Sequence, residues 1–119
     1  MGSIVSPPTI EVREGTTDRL IIQLLADDVP IPLGDIDHIE IEMRDSKRNT
    51  YKYSSQDSSP KVGIVTPETL GKVYLDPPAS LFKTICSPYL LYCWVVEADK
   101  TRYSVPEETE AMIQVRRNY

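Results

Sequence analysis

Short runs of alternating apolar and polar residues constrain this sequence more than any other feature. In the clearest run, residues 39–44, the apolar side chains Ile39, Ile41 and Met43 alternate with charged ones. A period of two places alternate side chains on opposite faces of a β-strand, so this run predicts a strand with one buried face. The same pattern predicts further strands at residues 9–13, 18–26, 50–54, 61–66, 72–76, 89–98, 101–105 and 111–116.

The proline and aromatic content agrees with a β-rich chain. The sequence contains 10 prolines and 7 tyrosines but only 1 phenylalanine. Tyrosine and β-branched residues favour strands, whereas proline interrupts helices and is common in turns. One helical turn is predicted at residues 79–83, where prolines precede Leu81 and Phe82. About eight short strands at roughly ten-residue spacing, with almost no helix, indicate an antiparallel β-sandwich.

The length of the chain, 119 residues, predicts one domain, because single cores of about 100 to 150 residues are the commonest size. Residues 1–8 contain glycine, serine and two prolines without a periodic apolar face, which predicts an extended N-terminal arm. The sandwich domain is therefore predicted at residues 9–119. We expect the arm to become ordered only against a neighbouring subunit, and its deletion to leave the stability of the domain nearly unchanged.

The charge and hydropathy of the chain argue against two classes of partner. The net charge is -5 at pH 7, and no run of lysine and arginine occurs, which disfavours nucleic-acid binding. The longest apolar stretch, residues 89–96, is far shorter than the roughly 20 residues that span a bilayer. Residues 1–10 carry no basic side chain, so they do not resemble a secretory signal. We expect neither a nucleic-acid nor a membrane partner.

Few residues of this sequence could perform chemistry. There is 1 histidine, His38, and the 2 cysteines, Cys86 and Cys93, lack the spacing of zinc or redox motifs. A nucleophilic Cys-His pair is conceivable, but His38 falls on the polar face of its strand, which predicts a surface histidine. We expect free thiols, no enzyme activity, no catalytic residue, no cofactor and no metal.

Two pairs of carboxylates provide a weak hypothesis for a metal site. Asp27 and Asp28 are adjacent, and Asp35 and Asp37 are separated by one residue. Loop carboxylates at such spacing can ligate calcium, but further ligands are not visible in the sequence. Solvated turns are therefore the favoured interpretation of both pairs.

Residues 89–96 break the alternation seen elsewhere, because both faces of this predicted strand are apolar. One face comprises Leu91, Cys93 and Val95, and the other comprises Leu90, Tyr92, Trp94 and Val96. A strand of a two-sheet sandwich normally turns one face to water, so the second apolar face needs a cover. Either the turn near Leu81 and Phe82 or a loop covers it within the chain, or the face lies in a subunit contact.

The aromatic residues of this strand favour the contact. Tyrosine and tryptophan supply large apolar areas with a hydrogen-bonding edge, and they are enriched among residues that dominate interfaces. We predict that the outward face contains Tyr92 and Trp94 and lies in a protein interface. Ile4 and Val5 of the arm are further candidate interface residues. Tyr119 is either an aromatic anchor on a partner or part of a frayed end.

Several short motifs follow one another in an order that resembles a known family. They are Gly-Thr-Thr-Asp at 15–18, Val-Pro-Ile-Pro-Leu-Gly at 29–34, Arg-Asp at 44–45, Gly-Lys-Val-Tyr-Leu at 71–75, and residues 92–99 followed by Tyr-Ser-Val-Pro at 103–106. Over about residues 10–115 the chain resembles the immunoglobulin-like N-terminal domain of the baseplate upper protein family of tailed bacteriophages. The resemblance implies an all-β fold: a single immunoglobulin-like antiparallel β-sandwich of about seven to nine strands, with at most one short helical turn.

The same resemblance implies a function in a virus particle. We expect a non-enzymatic structural protein of a tailed-bacteriophage virion, made in the host bacterial cytoplasm. It would bind other virion proteins as a capsid-decoration, neck, tail, baseplate or fibre-attachment component, as a homo-oligomer or in multiple copies. The alternative is a carbohydrate-binding or adhesin-like module, in which Tyr51, Tyr53, Tyr74 and Trp94 would stack on sugars.

Overall fold

The computed structural model describes residues 3–107 and 110–117, and these residues form two β-sheets that pack face to face. Two short 3-10 helices, Glu68–Leu70 and Thr84–Cys86, are the helical elements of this described part. None of its helices is long and apolar enough to cross a membrane. The strands are β1 (Ser3–Ser6), β2 (Thr9–Arg13), β3 (Leu20–Ala26), β4 (Val29–Pro30), β5 (Ile36–Arg44), β6 (Thr50–Ser54), β7 (Val62–Ile64), β8 (Lys72–Leu75), β9 (Tyr89–Glu97), β10 (Arg102–Val105) and β11 (Ala111–Arg116).

The two sheets contain different sets of strands. The first sheet has the order β1-β3-β8-β7, with β4 also paired to β3. The second sheet has the order β2-β11-β9-β5-β6, with β10 paired to β9 beside β11. All pairs are antiparallel except β2 and β11, which run parallel.

The alternating pattern identified the buried side chains of the second sheet correctly. In β5, Ile39, Ile41 and Met43 are at most 1% exposed and face the first sheet. The strands β5 and β6 form one hairpin of this sheet, and β9 and β10 form another. Between the sheets these residues pack against β3 and β8 side chains such as Leu24 and Val73, which are also fully buried. The core is thus a single apolar layer between two sheets.

Two details identify the sandwich as immunoglobulin-like. The first is that β1 pairs with the first sheet while β2, which follows it, joins the second sheet parallel to the last strand. The second is Tyr89 at the start of β9, whose buried hydroxyl donates to the Leu81 carbonyl oxygen at 2.7 Å and accepts the Lys83 N–H at 3.1 Å. This tyrosine bonded to upstream backbone is a recurring feature of such sandwiches. The predicted fold class is confirmed.

The structure differs from the predicted elements in the number of strands and in the helical turn. The described residues contain eleven strands instead of seven to nine, because the two-residue β4 and the short β1 carry too little pattern to be recognised. The predicted helical turn at 79–83 is a hydrogen-bonded turn, with the Leu81 N–H donating to the Pro78 carbonyl oxygen at 3.0 Å. The 3-10 helix Thr84–Cys86 follows it.

The predicted division between an arm at residues 1–8 and a domain at 9–119 is corrected for the described residues. Ser3–Ser6 form β1, which pairs with β3 along four residues, and Val5 is only 1% exposed. A strand of four residues needs only one or two apolar side chains on its inner face, so its contribution to the core is invisible in the sequence pattern. Met1 and Gly2 lie outside the described residues.

Candidate protein interface

Strand β9 lies at the centre of the second sheet and presents two apolar faces, as the sequence predicts. Leu91, Cys93 and Val95 point into the core and are at most 2% exposed. Tyr92 and Trp94 lie on the outer face and are half-buried. The predicted assignment of the two faces is therefore confirmed. The outer face of β9, with the charged side chains that flank it on β5 and β10, is called the outer aromatic face below.

The indole of Trp94 is held by charged groups from both neighbouring strands. Its Nε1–H donates to Glu42 Oε1 at 3.1 Å, and the guanidinium of Arg102 lies over the ring, 4.5 Å from the centroid. Arg102 also pairs with Glu40, with Nη2 at 2.9 Å from Oε1. Glu40 on β5 lies directly opposite Trp94 in the strand register, so pairing of the strands positions these groups.

Tyr92 also lies beneath an arginine that pairs with a glutamate, at a longer distance than in the arrangement around Trp94. The guanidinium of Arg44 lies 5.9 Å from the Tyr92 ring centroid and pairs with Glu42 at 3.1 Å. Glu42 is 8% exposed, so its charge would be costly without these partners. The neighbouring strands thus cover the apolar face with ion pairs. The alternative of a cover by the turn near Leu81 and Phe82 is excluded, because both side chains are buried in the core.

A histidine cluster extends the charged border of this face. His38 Nδ1 lies 2.6 Å from Asp37 Oδ2, and His38 Nε2 lies 2.9 Å from Glu40 Oε2. Burial lowers the pKa of His38, but the hydrogen bonds with Glu40 and Asp37 outweigh burial and raise it. Hydrogen bonds from Lys100 and His38 lower the pKa of Asp37. Protonated His38 therefore fixes Glu40, the carboxylate that holds Arg102.

The solvent exposure of His38 is smaller than the sequence suggests. His38 lies on the outer side of β5, as predicted, but its side chain is only 12% exposed because Asp37 and Glu40 enclose it. Cys93 lies on the inner face of the same sheet, so the conceivable Cys-His pair does not form. Burial raises the pKa of Cys93 to about 12. Cys86 and Cys93 are both buried and free, as predicted.

A small pocket of about 180 Å³ opens beside Trp94, and Lys52, Tyr53 and Asp57 line its other side. The remaining tyrosines of the carbohydrate hypothesis lie elsewhere. Tyr51 donates its hydroxyl to Asp45 at 2.8 Å and packs against Tyr89 in the core. Tyr74 lies on the first sheet beneath Arg19. Tyr53 lies opposite the core residue Ile41 in the pairing of β5 with β6, and its ring packs against the core. The structure therefore does not bring the four predicted rings onto one surface.

The other predicted interface residues do not join Tyr92 and Trp94. Ile4 is half-buried on the outer side of the first sheet, opposite Leu25. Val5 is a core residue, so its prediction as an interface residue is corrected: it contacts the sandwich interior. Tyr119 lies outside the described residues.

Sequence reasoning missed the charged half of this face, namely Glu40, Glu42, Arg44 and Arg102. Each of the three β5 residues was recognised as polar, but their position beside β9 depends on a strand pairing that one sequence does not specify. The alternation of charges with apolar residues in 39–44, next to a strand with two apolar faces, was the available signal.

Neither pair of carboxylates in the calcium hypothesis is a cluster of free ligands, because Asp37 pairs with His38 and Lys100, and the other pair forms a hairpin turn. Asp27 and Asp28 are the two turn residues of the β3–β4 hairpin, and both have positive φ, 52° and 65°. That conformation is typical of type I′ hairpin turns, in which Asp and Asn are tolerated. Within residues 3–107 and 110–117, no group of three or more His, Cys, Asp or Glu side chains could hold a metal ion.

Comparison with known proteins supports the fold and leaves the activity open. No protein-family model matches the chain, and a comparison with curated proteins finds no match. CopC from Methylosinus trichosporium OB3b aligns with a TM-score of 0.53 and 13% identity, over 98% of this chain and 96% of CopC. Murine CRIg aligns with a TM-score of 0.44 and 10% identity, over 98% of each chain. At this identity the likeness to CopC shows the fold alone, and the resemblance to baseplate upper proteins stays a prediction.

Proposed function

We propose that this protein is a non-enzymatic structural component of a tailed-bacteriophage particle and binds another virion protein through the outer aromatic face. The observation that carries the binding function is the position of Tyr92 and Trp94 at the centre of a sheet, bordered by ion pairs. An apolar, aromatic centre with a polar rim is the usual anatomy of a protein interface. The setting in a virion rests on the family resemblance alone.

The charges of this face define the chemistry of its partner. Glu40 pairs with Arg102 and Glu42 pairs with Arg44, so the face is nearly neutral although the whole chain carries a net charge of -5. Its centre is therefore suited to a neutral protein surface with apolar side chains. Arg102 is 50% exposed and can hydrogen-bond a partner while it stays over Trp94. Arginine and tryptophan together are frequent energetic centres of interfaces.

The setting is tested by quantitative mass spectrometry of purified particles of the phage that encodes this chain. The proposal expects a fixed number of copies for each particle after extensive washing. Abundance in infected cells together with absence from intact particles would overturn the virion function, whatever the outer aromatic face binds.

The binding face is tested separately with a matched pair of variants. Trp94→Ser removes the central ring, whereas Ile21→Ser removes an exposed apolar side chain, 50% exposed, from the outer side of the opposite sheet. We expect Trp94→Ser to reduce incorporation by about tenfold or more, equivalent to about 1.4 kcal/mol of binding. Ile21→Ser should incorporate normally. Equal incorporation of both folded variants, verified by circular dichroism, would place the contact elsewhere.

The pocket beside Trp94 supports a second candidate, a carbohydrate-binding module. Trp94 lines it together with carboxylate and amino groups, a combination that suits sugar hydroxyls. Saturable binding on a glycan array, lost in both Lys52→Ala and Trp94→Ser, would favour this candidate. Binding that persists in Lys52→Ala would exclude the pocket as the sugar site.

A further inference from the structure

A depression of about 570 Å³ lies at one end of the sandwich. Its rim carries Ile85, which is 67% exposed, and the cations Lys83 and Arg117. Glu14 also lines it, but its carboxylate already accepts the Thr84 N–H at 2.7 Å and the Thr84 hydroxyl at 2.8 Å. The depression thus offers an exposed apolar side chain and two cations, which lie close enough to Glu14 to attract its carboxylate. We call it the end depression.

The surroundings of the end depression are basic. Strands β2, β5 and β11 end here, and the loops are joined by hydrogen bonds such as Glu14 N–H to the Arg116 carbonyl oxygen at 2.8 Å. Basic residues outnumber acidic ones two to one in segments 13–19, 44–49, 76–88 and 116–117. Three of these cations form ion pairs, Arg19 with Asp76, Arg44 with Glu42 and Arg116 with Glu11. The other five cations of these segments still outnumber the other three acids.

The opposite end of the sandwich is acidic and has a projecting hairpin. Strands β3 and β9 end there while β5 and β8 begin there. Segments 27–37, 68–71 and 97–102 contain seven acidic residues and two basic ones. The β3–β4 hairpin places Asp27 and Asp28 at its exposed tip, directly before Val29, which is 62% exposed. We call residues 26–29 the acidic tip.

The acidic tip and the end depression are complementary in shape, charge and hydrophobicity. A convex turn with two carboxylates and an exposed valine faces away from one end, and a concave site with two cations and an exposed isoleucine lies at the other. The nine-residue β5 separates the two ends by about 30 Å, far beyond the screening length of about 8 Å at physiological salt. The two ends of one molecule therefore cannot interact with each other, but one end can interact with the opposite end of a second copy.

We propose that copies of this chain associate head to tail, with the acidic tip of one copy seated in the end depression of the next. Asp27 and Asp28 pair with Lys83 and Arg117, and Val29 covers Ile85. A two-fold contact through either end would oppose like charges, so the polarity of the molecule favours a heterologous contact, which builds rings or filaments. This association goes beyond the proposed function, because it uses neither Trp94 nor the outer aromatic face.

The test uses two double variants of the full chain. Asp27→Asn with Asp28→Asn removes the charges of the tip and keeps its turn, because asparagine tolerates positive φ. Lys83→Gln with Arg117→Gln removes the charges of the end depression. Sedimentation velocity at about 50 mM salt should show that the unmodified chain self-associates, that about 500 mM salt weakens this association, and that each double variant raises the dissociation constant about tenfold or more.

Mixing the two double variants gives the decisive result. Each variant keeps the half that the other lacks, so an equimolar mixture should regain association but stop at dimers, since only one intact contact can form. The charge-matched control, Asp35→Asn with Glu97→Gln, changes the acidic end outside the tip and should associate normally.

Three outcomes for the unmodified chain and the double variants would overturn the proposal. They are a monomeric unmodified chain at low salt, a mixture of the double variants that fails to form dimers, and a control that loses association as fully as the tip variant. Trp94→Ser should self-associate like the unmodified chain. Loss of association in Trp94→Ser alone would move the self-contact to the outer aromatic face and also reject the head-to-tail contact.

Discussion

The inner and outer faces of β9 carry similar apolar side chains but meet different surroundings. Leu91, Cys93 and Val95 pack between the sheets, whereas Trp94 and Tyr92 lie under guanidinium groups from β10 and β5. Arginine can cover aromatic surface with its planar head and alkyl stem while it stays in contact with water. An apolar strand face therefore does not by itself imply a second core layer or a buried contact.

The adjacent leucines of β9 provide the sharpest comparison, because the same change is made on opposite faces. Leu91 is 2% exposed, whereas Leu90 is half-buried on the outer face. We expect Leu91→Ala to lower the free energy of unfolding by about 2 to 5 kcal/mol through lost burial and a residual cavity. Leu90→Ala should cost less than about 1 kcal/mol. Chemical denaturation measures both, and equal losses would show that the outer face is as tightly packed as the core.

The two tyrosines of β9 extend the comparison to hydrogen bonds. The Tyr89 hydroxyl is buried and bonds both the Leu81 carbonyl oxygen and the Lys83 N–H. Tyr89→Phe should therefore destabilise the fold by about 1 to 3 kcal/mol, because both backbone groups lose their partner. Tyr92→Phe on the outer face should change the free energy of unfolding by less than about 0.5 kcal/mol. If Tyr89→Phe leaves the free energy of unfolding unchanged, the tyrosine hydroxyl does not anchor the loop at residues 81–83.

The ion pairs that cover the outer face should contribute less to the free energy of unfolding than the core interactions of Leu91 and Tyr89. Arg102→Gln removes the cation over Trp94 and the ion pair with Glu40. We expect a loss of about 0.5 to 1 kcal/mol, because Arg102 is half exposed. Trp94 is the only tryptophan, so its fluorescence should also change. Lys72→Gln, a charge-matched change on the first sheet, should leave the spectrum unaltered.

The smallest effect is expected from the titration of His38. The hydrogen bonds with Glu40 and Asp37 raise the pKa of folded His38 above its unfolded value of about 6.5. The stabilisation is therefore fully present below that pH and is lost as the pH rises through the folded value. Denaturant titrations between about pH 5.5 and 8.5 should show this decrease, and His38→Gln should flatten it. An unchanged slope in His38→Gln would assign the pH dependence to another group.

The sequence predicts the fold of the second sheet better than that of the first. In β5 the alternation of Ile39, Ile41 and Met43 with charges is long enough to define both faces, and β9 is recognisable as a strand from its nine-residue run although both of its faces are apolar. In β1 only Val5 reaches the core, and in β4 two residues form the strand. Such short strands form because they pair with strands that are distant in the sequence, and the local residue pattern carries no information about that pairing.

The candidate site was predictable in its aromatic half only. Tyr92 and Trp94 stand out because they break an alternation. Arg102 and Glu42 acquire their positions from the pairing of β5, β9 and β10, so their contacts with Trp94 do not follow from spacing along the chain. The difference in charge between the two ends of the sandwich also cannot be predicted from the sequence. Segments 13–19, 44–49 and 116–117 are far apart in the chain and meet only when the strands pair.

The labelling rates of the two buried thiols can report how often different parts of the structure open. An exposed thiolate attacks electrophilic thiol reagents. Cys93 has a pKa raised to about 12 by complete burial, so it reacts only when the centre of the second sheet opens. Cys86 lies in the 3-10 helix beside the end depression and is 6% exposed. Its labelling rate reports the loosening of that end. The ratio of the two rates would therefore separate fraying of one loop region from unfolding of the whole sandwich, without any introduced cysteine.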